Sequence, residues 1–267
     1  MVAKVLTIAG SDSGGGAGIQ ADIKTFQELD VYGMSAITAL TAQNTLGVQN
    51  VFPIPVDMVI EQINSIAEDL RPDAIKTGML FSGDIIEAVA GKIAEHGWGN
   101  VVVDPVMIAK GGARLLQEDA IRAIRENLLP LASVTTPNIP EAEVLTEMTL
   151  DTIDRRKKAA RMLHKLGSTY VVIKGGHGKE DELVDLVYDG NRYFEMKSMR
   201  IDTRHTHGTG CTFAAAIAAG LAKGSAAEDA IMTAKQFIHR AIEVELGIGN
   251  GHGPTNHWAY RKAGVGV

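Results

Sequence analysis

The chain has 267 residues, 45% of them hydrophobic and 22% charged, with a formal net charge of −6. That length sustains a sizeable core, and the acidic balance without any Lys/Arg block argues against a nucleic-acid surface. One cysteine, Cys211, rules out an intrachain disulfide and suits a reducing compartment.

No run approaches the roughly 18 apolar residues of a membrane span, and no secretory leader is recognisable. The expectation is a cytoplasmic protein without membrane or nucleic-acid partners. In chain order, strands are predicted at "KVLTIA", "SAITAL", "DAIKTG", "NVVVDP", "SVTTPN", "TYVVIKGG" and "LVDLVYD". Helical spacing fills most of the gaps, over Gly18 to Leu29, Val56 to Leu70, Asp84 to His96, Glu118 to Asn127 and Thr152 to Leu166. Strands that are apolar throughout, such as Val101 to Val103, are expected where helices cover both faces of a parallel sheet. Alternation of this kind makes right-handed βαβ units. Beyond Lys174 the pattern becomes strand, Asp189-Gly190 turn, strand, an antiparallel hairpin. Two helices then follow, Cys211 to Lys223 and Ala226 to Leu246, with "GNGHGPTNHW" as an ordered terminal loop. No linker or repeat interrupts the series, so residues 1–267 read as one α/β domain.

In open α/β sheets ligands bind outside the carboxyl ends of the strands. Polar or glycine residues stand at every such end here. The first carries "GSDSGGGAG". No Lys-Ser/Thr pair follows these glycines, so a nucleotide P-loop fails. Gly16, Gly18 and Ala21 fit a dinucleotide fingerprint, but the second strand ends in Thr41-Ala42-Gln43-Asn44 without the acid that would hold a ribose. A tight turn, or backbone approaching a small ligand, stays open.

A second glycine motif, Gly208-Thr209-Gly210, precedes an Ala-rich helix beginning near Cys211. Unpaired N–H groups and the positive end of the dipole make such a start an anion site, and glycines let the amides converge as a nest. Asn138 and Glu141 stand three apart at a helix start, an amide and a carboxylate able to hold a hydrated Mg²⁺. Asp104 adds a carboxylate and Lys174 a cation at the same sheet edge. His205, His207 and Cys211 have an H-x-H-x₃-C spacing that lacks the fourth nearby ligand of a zinc site.

Together, "GSDSGGGAGIQADIKTF", "KTGM", "DPVMIAKGG", "TPNIPEAE", "VVIKGGH" and "THGTGCT" resemble the hydroxymethylpyrimidine/phosphomethylpyrimidine kinases of the ribokinase superfamily, from about Lys4 to Trp258. The resemblance implies a three-layer α/β sandwich with a mostly parallel sheet, and an MgATP-dependent kinase. Its substrate would be 4-amino-5-hydroxymethyl-2-methylpyrimidine and then the monophosphate, on the way to thiamin. By position it implies a pyrimidine pocket of Gly10, Asp22, Gln43, Met79, Val106 and Met107. Gly208, Gly210, Cys211 and Lys174 would face the transferred phosphoryl. Asn138, Lys174, Thr203, Thr206 and Lys235 would serve the nucleotide; Asp104, Asn138 and Glu141 would serve the metal. A homodimer is expected. Most of the superfamily carries Asp where this chain has Cys211; a helix N-terminus lowers a thiol's pKa, which would suit a base. Vitamin B6 kinases share the glycine and cysteine motifs, and Gln43 in "TAQNT" speaks for the pyrimidine. A non-catalytic pyrimidine-binding protein is the alternative from another class.

Overall fold

The computed structural model describes residues 1–107, 118–176 and 181–264. Among these residues nine strands form one sheet, ordered β3-β2-β1-β4-β5-β6-β7-β8-β9. They are β1 (Lys4–Asp12), β2 (Tyr32–Asn44), β3 (Gly47–Pro53), β4 (Ala74–Thr77), β5 (Val101–Val103), β6 (Val134–Thr135), β7 (Tyr170–Ile173), β8 (Glu182–Tyr188) and β9 (Tyr193–Met199). From β2 to β7 all neighbours are parallel; β3 pairs antiparallel with β2, β8 with β7 and β9 with β8. The sequence announces the β8–β9 hairpin but not β3. Its "GVQNVFP" lies at the sheet's edge with four of seven side chains exposed or nearly so, and lacks the apolar run of a buried strand.

Alternation along each strand sorts residues to two cores. Leu6, Ile8, Ile75, Val101 and Val103 face α2 (Val56–Asp69), α3 (Gly83–Glu95) and α6 (Ile153–Lys165). Val5, Ala74, Val102, Val134 and Val172 face α1 (Gly18–Glu28), α7 (Thr209–Ala222) and α8 (Ala227–Glu243). Helix α7 is mostly small and almost wholly buried, and the ideal Cβ of Gly220 would fall 2.7 Å from that of Ala230, so α7 and α8 run in close contact. Helix α4 (Glu118–Ala123) continues into a π-helical turn over Ile124–Leu128, α5 (Ile139–Thr146) follows β6, and the tail ends in α9 (Ala259–Lys262). Among the described residues no helix is long and apolar enough to cross a membrane. Strand order reverses between β1 and β4, which puts the crevice for a ligand beyond their carboxyl ends.

Candidate active site

A cavity of about 570 Å³ opens at that edge, and both glycine motifs line it. They meet backbone to backbone. Gly208 has φ +83°, and a Cβ there would strike the Gly16 carbonyl oxygen, so only glycine lets the two loops touch. The Gly18 N–H donates to the Cys211 thiol, and the His207 imidazole Nε2 lies 2.8 Å from Asp12 Oδ2. Stretches almost two hundred positions apart therefore build one chamber.

The first loop is organised by Asp12. Its carboxylate accepts the N–H groups of Gly14, Gly16 and Ala17 at 2.8, 3.0 and 2.8 Å. Burial opposes its charge, but the His207 hydrogen bond and these amides outweigh that and hold the carboxyl below its ordinary range. Gln43 reaches the cavity because β2 runs past the end of β1 while still paired with β3, with a bulge at Ala42/Gln43 that re-aims the side chain. Met79 lies against Gly10, where any side chain would strike the Met79 methyl.

On the opposite wall, α7 begins at Thr209, so the Gly210 and Cys211 N–H groups fall in its first turn and have no partner within the helix. Lys174 Nζ donates to Asp104 Oδ1 at 2.8 Å, and the Thr136 hydroxyl donates to the same oxygen at 3.0 Å. Burial works against the Lys174 ammonium, yet Asp104 and Glu141 hold it above the usual range. Burial lifts the Glu141 carboxyl to about 7, with Lys174 opposing and Asp104 reinforcing the rise. Asn138 and Glu141 form a reciprocal capping box at the start of α5: Glu141 N–H donates to Asn138 Oδ1 at 2.9 Å, and Asn138 N–H donates to Glu141 Oε2 at 2.8 Å. The Asn138 oxygen is thus engaged in the cap, and the two carboxylates remain as hard oxygen donors facing one ammonium. A carboxyl raised by burial beside a paired one fits a hydrated divalent cation touching few protein groups, whose charge would favour the ionised form of Glu141. Among the described residues no three His, Cys, Asp or Glu side chains cluster for direct ligation; His207 is engaged by Asp12, away from any zinc arrangement.

Of the sequence-derived site residues, Gly10, Gln43, Met79, Asp104, Val106, Asn138, Glu141, Lys174, Thr203, Thr206, Gly208, Gly210, Cys211 and Lys235 all line the cavity. Two do not. Met107 packs into the α3-side core, and its backbone N–H is what approaches Glu141. Asp22 lies fully buried beneath the floor, where it accepts from Thr7 Oγ1 at 2.6 Å and Lys76 Nζ at 2.9 Å. Strand alternation explains this: Thr7 and Lys76 share the sheet face that α1 covers, so Asp22 of α1 meets them from inside. The Cys211 expectation also changes. Burial pushes its thiol up to about 11, with Lys76 pulling down and Asp22 and Asp104 pushing up. The helix terminus does not offset desolvation, so the group is a thiol at neutral pH. The "DPVMIAKGG" and "VVIKGGH" motifs run partly outside the described residues.

Four residues outside the expected site set also line the chamber: Asp12, Lys76, Asp185 and His207. Lys76 carried a signal, a lone charge inside the apolar "DAIKTG"; burial opposes its ammonium, but Asp22 first, then Cys211 and Asp104, hold it protonated above the ordinary lysine range. Asp185 carried the same kind of signal in "LVDLVY"; it accepts Lys235 Nζ at 2.7 Å and the Gly175 N–H at 2.7 Å. The partnerships of Asp12 and His207 had none, since they depend on loops meeting across the fold.

A sequence model of the family described as phosphomethylpyrimidine kinase matches residues 12–256. The hydroxymethylpyrimidine/phosphomethylpyrimidine kinase of Bacillus subtilis is 59% identical, covering 97% of this chain and 96% of that protein. The pyridoxine kinase of the same organism is 49% identical, covering 97% of each. A solved ADP complex of Bacillus subtilis pyridoxal kinase superposes with a TM-score of 0.91 at 47% identity, over 98% of this chain and 100% of that one. With motif order, sheet topology and cavity walls in agreement, the chain belongs to the phosphomethylpyrimidine kinase family, a branch of the ribokinase-like phosphotransferases.

Proposed function

We propose that this protein, acting as one kinase domain, transfers the γ-phosphoryl group of ATP to the hydroxymethyl oxygen of 4-amino-5-hydroxymethyl-2-methylpyrimidine. It then phosphorylates the resulting monophosphate to the diphosphate. The observation that carries this reading is the joining of the two glycine loops around one cavity, with Gln43 on one wall and the α7 N-terminus on the other. Gln43 offers both a donor and an acceptor to a ring bearing nitrogens and an amino group, beside the apolar surface of Met79 and Val106. Asp22 acts from below by holding Lys76 beside Cys211.

On the facing wall the Gly208–Cys211 amides and Lys174 take up charge on the moving group, as phosphoryl transfer demands mainly positioning and electrostatic stabilisation. Asp104 fixes the Lys174 ammonium. Thr203, Thr206 and Lys235 hold the nucleotide end. Asp104 and Glu141 would hold Mg²⁺ through its waters, with Asn138 shaping that turn; when bound, the ion neutralises phosphate charge. A Cys211 thiol with a pKa near 11 lies beside the reacting hydroxyl without serving as a ready base. The hydroxyl proton therefore leaves late, which a loose transition state permits.

Purified protein incubated with MgATP and the pyrimidine is expected to release ADP and yield mono- and diphosphate by mass spectrometry. No ADP above background would end this reading. The second reading, a vitamin B6 kinase, draws on the 49% identical pyridoxine kinase. Against it, a ring that leaves the Gln43 amide unpaired loses about 1–3 kcal/mol. The ratio of kcat/KM for the two alcohols decides, with the pyrimidine expected to lead. A homodimer is also part of the proposal, supported by Leu40, Leu46 and Phe52 exposed together on the β2–β3 hairpin. Light scattering on wild type and Phe52→Asp tests it, a monomeric wild type being the adverse result.

A further inference from the structure

Around Gln43 the cavity holds three side chains to which the transfer chemistry gives no role: Asp12, His207 and Thr41. His207 Nε2 lies 2.8 Å from Asp12 Oδ2 and 3.3 Å from the Gln43 amide. Thr41 Oγ1 lies 2.9 Å from the Ser11 carbonyl oxygen and 3.1 Å from the other end of that amide.

Donor accounting fixes the cluster. A carboxylate only accepts, so the imidazole Nε2 facing Asp12 carries a hydrogen. That one hydrogen goes to Asp12 at 2.8 Å, and Gln43 Nε2, which stands 3.3 Å away, cannot donate to a protonated ring nitrogen. Turned over, the amide presents its oxygen as a second, longer acceptor of the same N–H. The Thr41 hydroxyl has one hydrogen and gives it to Ser11, so toward Gln43 it accepts, which makes the facing atom the amide NH₂. The amide orientation that satisfies both contacts is thus turned over from the one in the structure, where Gln43 Nε2 faces His207 and Oε1 faces Thr41. The Ser13 hydroxyl pins the Gln43 backbone as well, donating to its carbonyl and accepting its N–H, both at 2.8 Å. The His207 backbone is tied in turn to the tail, with its N–H on Gly253 and its carbonyl accepting from Thr255.

We infer that Asp12 and His207 are positioning residues that set which face of the Gln43 amide the substrate ring meets, and hence select the aminopyrimidine over the pyridine alcohol. The inference rests on the proposed reading of the cavity. An amide free to turn over offers either pattern and discriminates neither ring; an amide held at both ends rejects a ring whose donors and acceptors are reversed.

The test uses isosteres. In His207→Gln the amide nitrogen falls where Nε2 was and still donates to Asp12; in His207→Asn the polar end stops short. Steady-state kcat/KM is measured for the aminopyrimidine alcohol and for pyridoxine, with circular dichroism to confirm folding. The expected result is that His207→Asn lowers the pyrimidine-to-pyridoxine ratio at least about fivefold, whereas His207→Gln stays within about twofold of wild type. Equal ratios in both variants and wild type overturn the inference. Nitrogen-15 NMR of the wild-type imidazole supplies a second readout that survives a folding failure: a hydrogen on Nε2 supports the cluster, and a neutral ring protonated only on Nδ1 overturns it. Absence of kinase turnover in wild type would instead defeat the functional reading, which keeps the two failures distinct.

Discussion

Gly210→Ala separates the chemistry of the nest from the stability of the fold. Gly210 occupies the first turn of α7 with an ordinary backbone, and a Cβ there would fall 3.3 Å from Lys174 Nζ and 3.5 Å from Asp104 Oδ2. Nothing in the protein must move far to admit it. Alanine is a better helix former than glycine by roughly 0.5–1 kcal/mol, so stability should hold or rise slightly. The new methyl, however, takes the space in front of Lys174. A phosphoryl oxygen accepting from the Gly210 N–H sits at about 2.9 Å from that nitrogen, and the methyl displaces it by about 1 Å. Misplacement on that scale costs on the order of 10²-fold in rate. The assay pairs thermal unfolding with a coupled measurement of ADP release: an unchanged or higher Tm with kcat down by about two orders of magnitude is expected. Near-wild-type kcat would refute the assignment of this nest to the transferred group. Gly208→Ala should behave differently, because its φ of +83° and the Gly16 carbonyl oppose any side chain. A left-handed alanine alone costs about 1–2 kcal/mol, so Tm and activity should fall together.

Other consequences concern buried charge. Lys76→Met leaves Asp22 without its cation in a pair whose side chains are both 0% exposed; urea denaturation should show a loss of about 3–5 kcal/mol, and Asp22→Asn in the same protein should recover part of it. A loss under about 1 kcal/mol would show that the two groups are not held as an ion pair. Cys211, held near 11, carries on the order of a thousandth of thiolate at pH 8, so iodoacetamide should label it far more slowly than an ordinary thiol; rapid labelling at that pH would contradict the burial argument. His257 is lowered to about 4 chiefly by burial, with Lys24 assisting, and its Nε2 lies 3.0 Å from Thr212 Oγ1. The unfolded chain therefore binds the proton first, and up to about 3 kcal/mol of stability is present above pH 6.5 and lost as pH falls toward 4. In His257→Gln that slope should shrink, as followed by denaturation at pH 7 and pH 5; an unaltered slope would assign the acid sensitivity elsewhere.

Wherever one segment's own pattern settles a feature, the sequence determined it. The apolar strands and the 3.6-residue spacing of α1, α2, α3 and α6 declare a parallel sheet between helices, because burial on both faces leaves no polar position in "VVV". The two glycine runs and the Asn138–Glu141 spacing mark the ligand edge in the same way, since caps and turns are local chemistry. What tertiary structure decided is which of these residues face each other. Strand alternation put Thr7 and Lys76 under α1, so Asp22 became part of the floor's support and left the pocket wall. Desolvation at Cys211 reversed the direction that a helix terminus alone would give its thiol. The edge strand β3, exposed and without an apolar run, was invisible until it paired with β2. The bond between Asp12 and His207 spans 195 positions, and no local pattern encodes a contact that exists only once the sheet and α7 have closed around a common space.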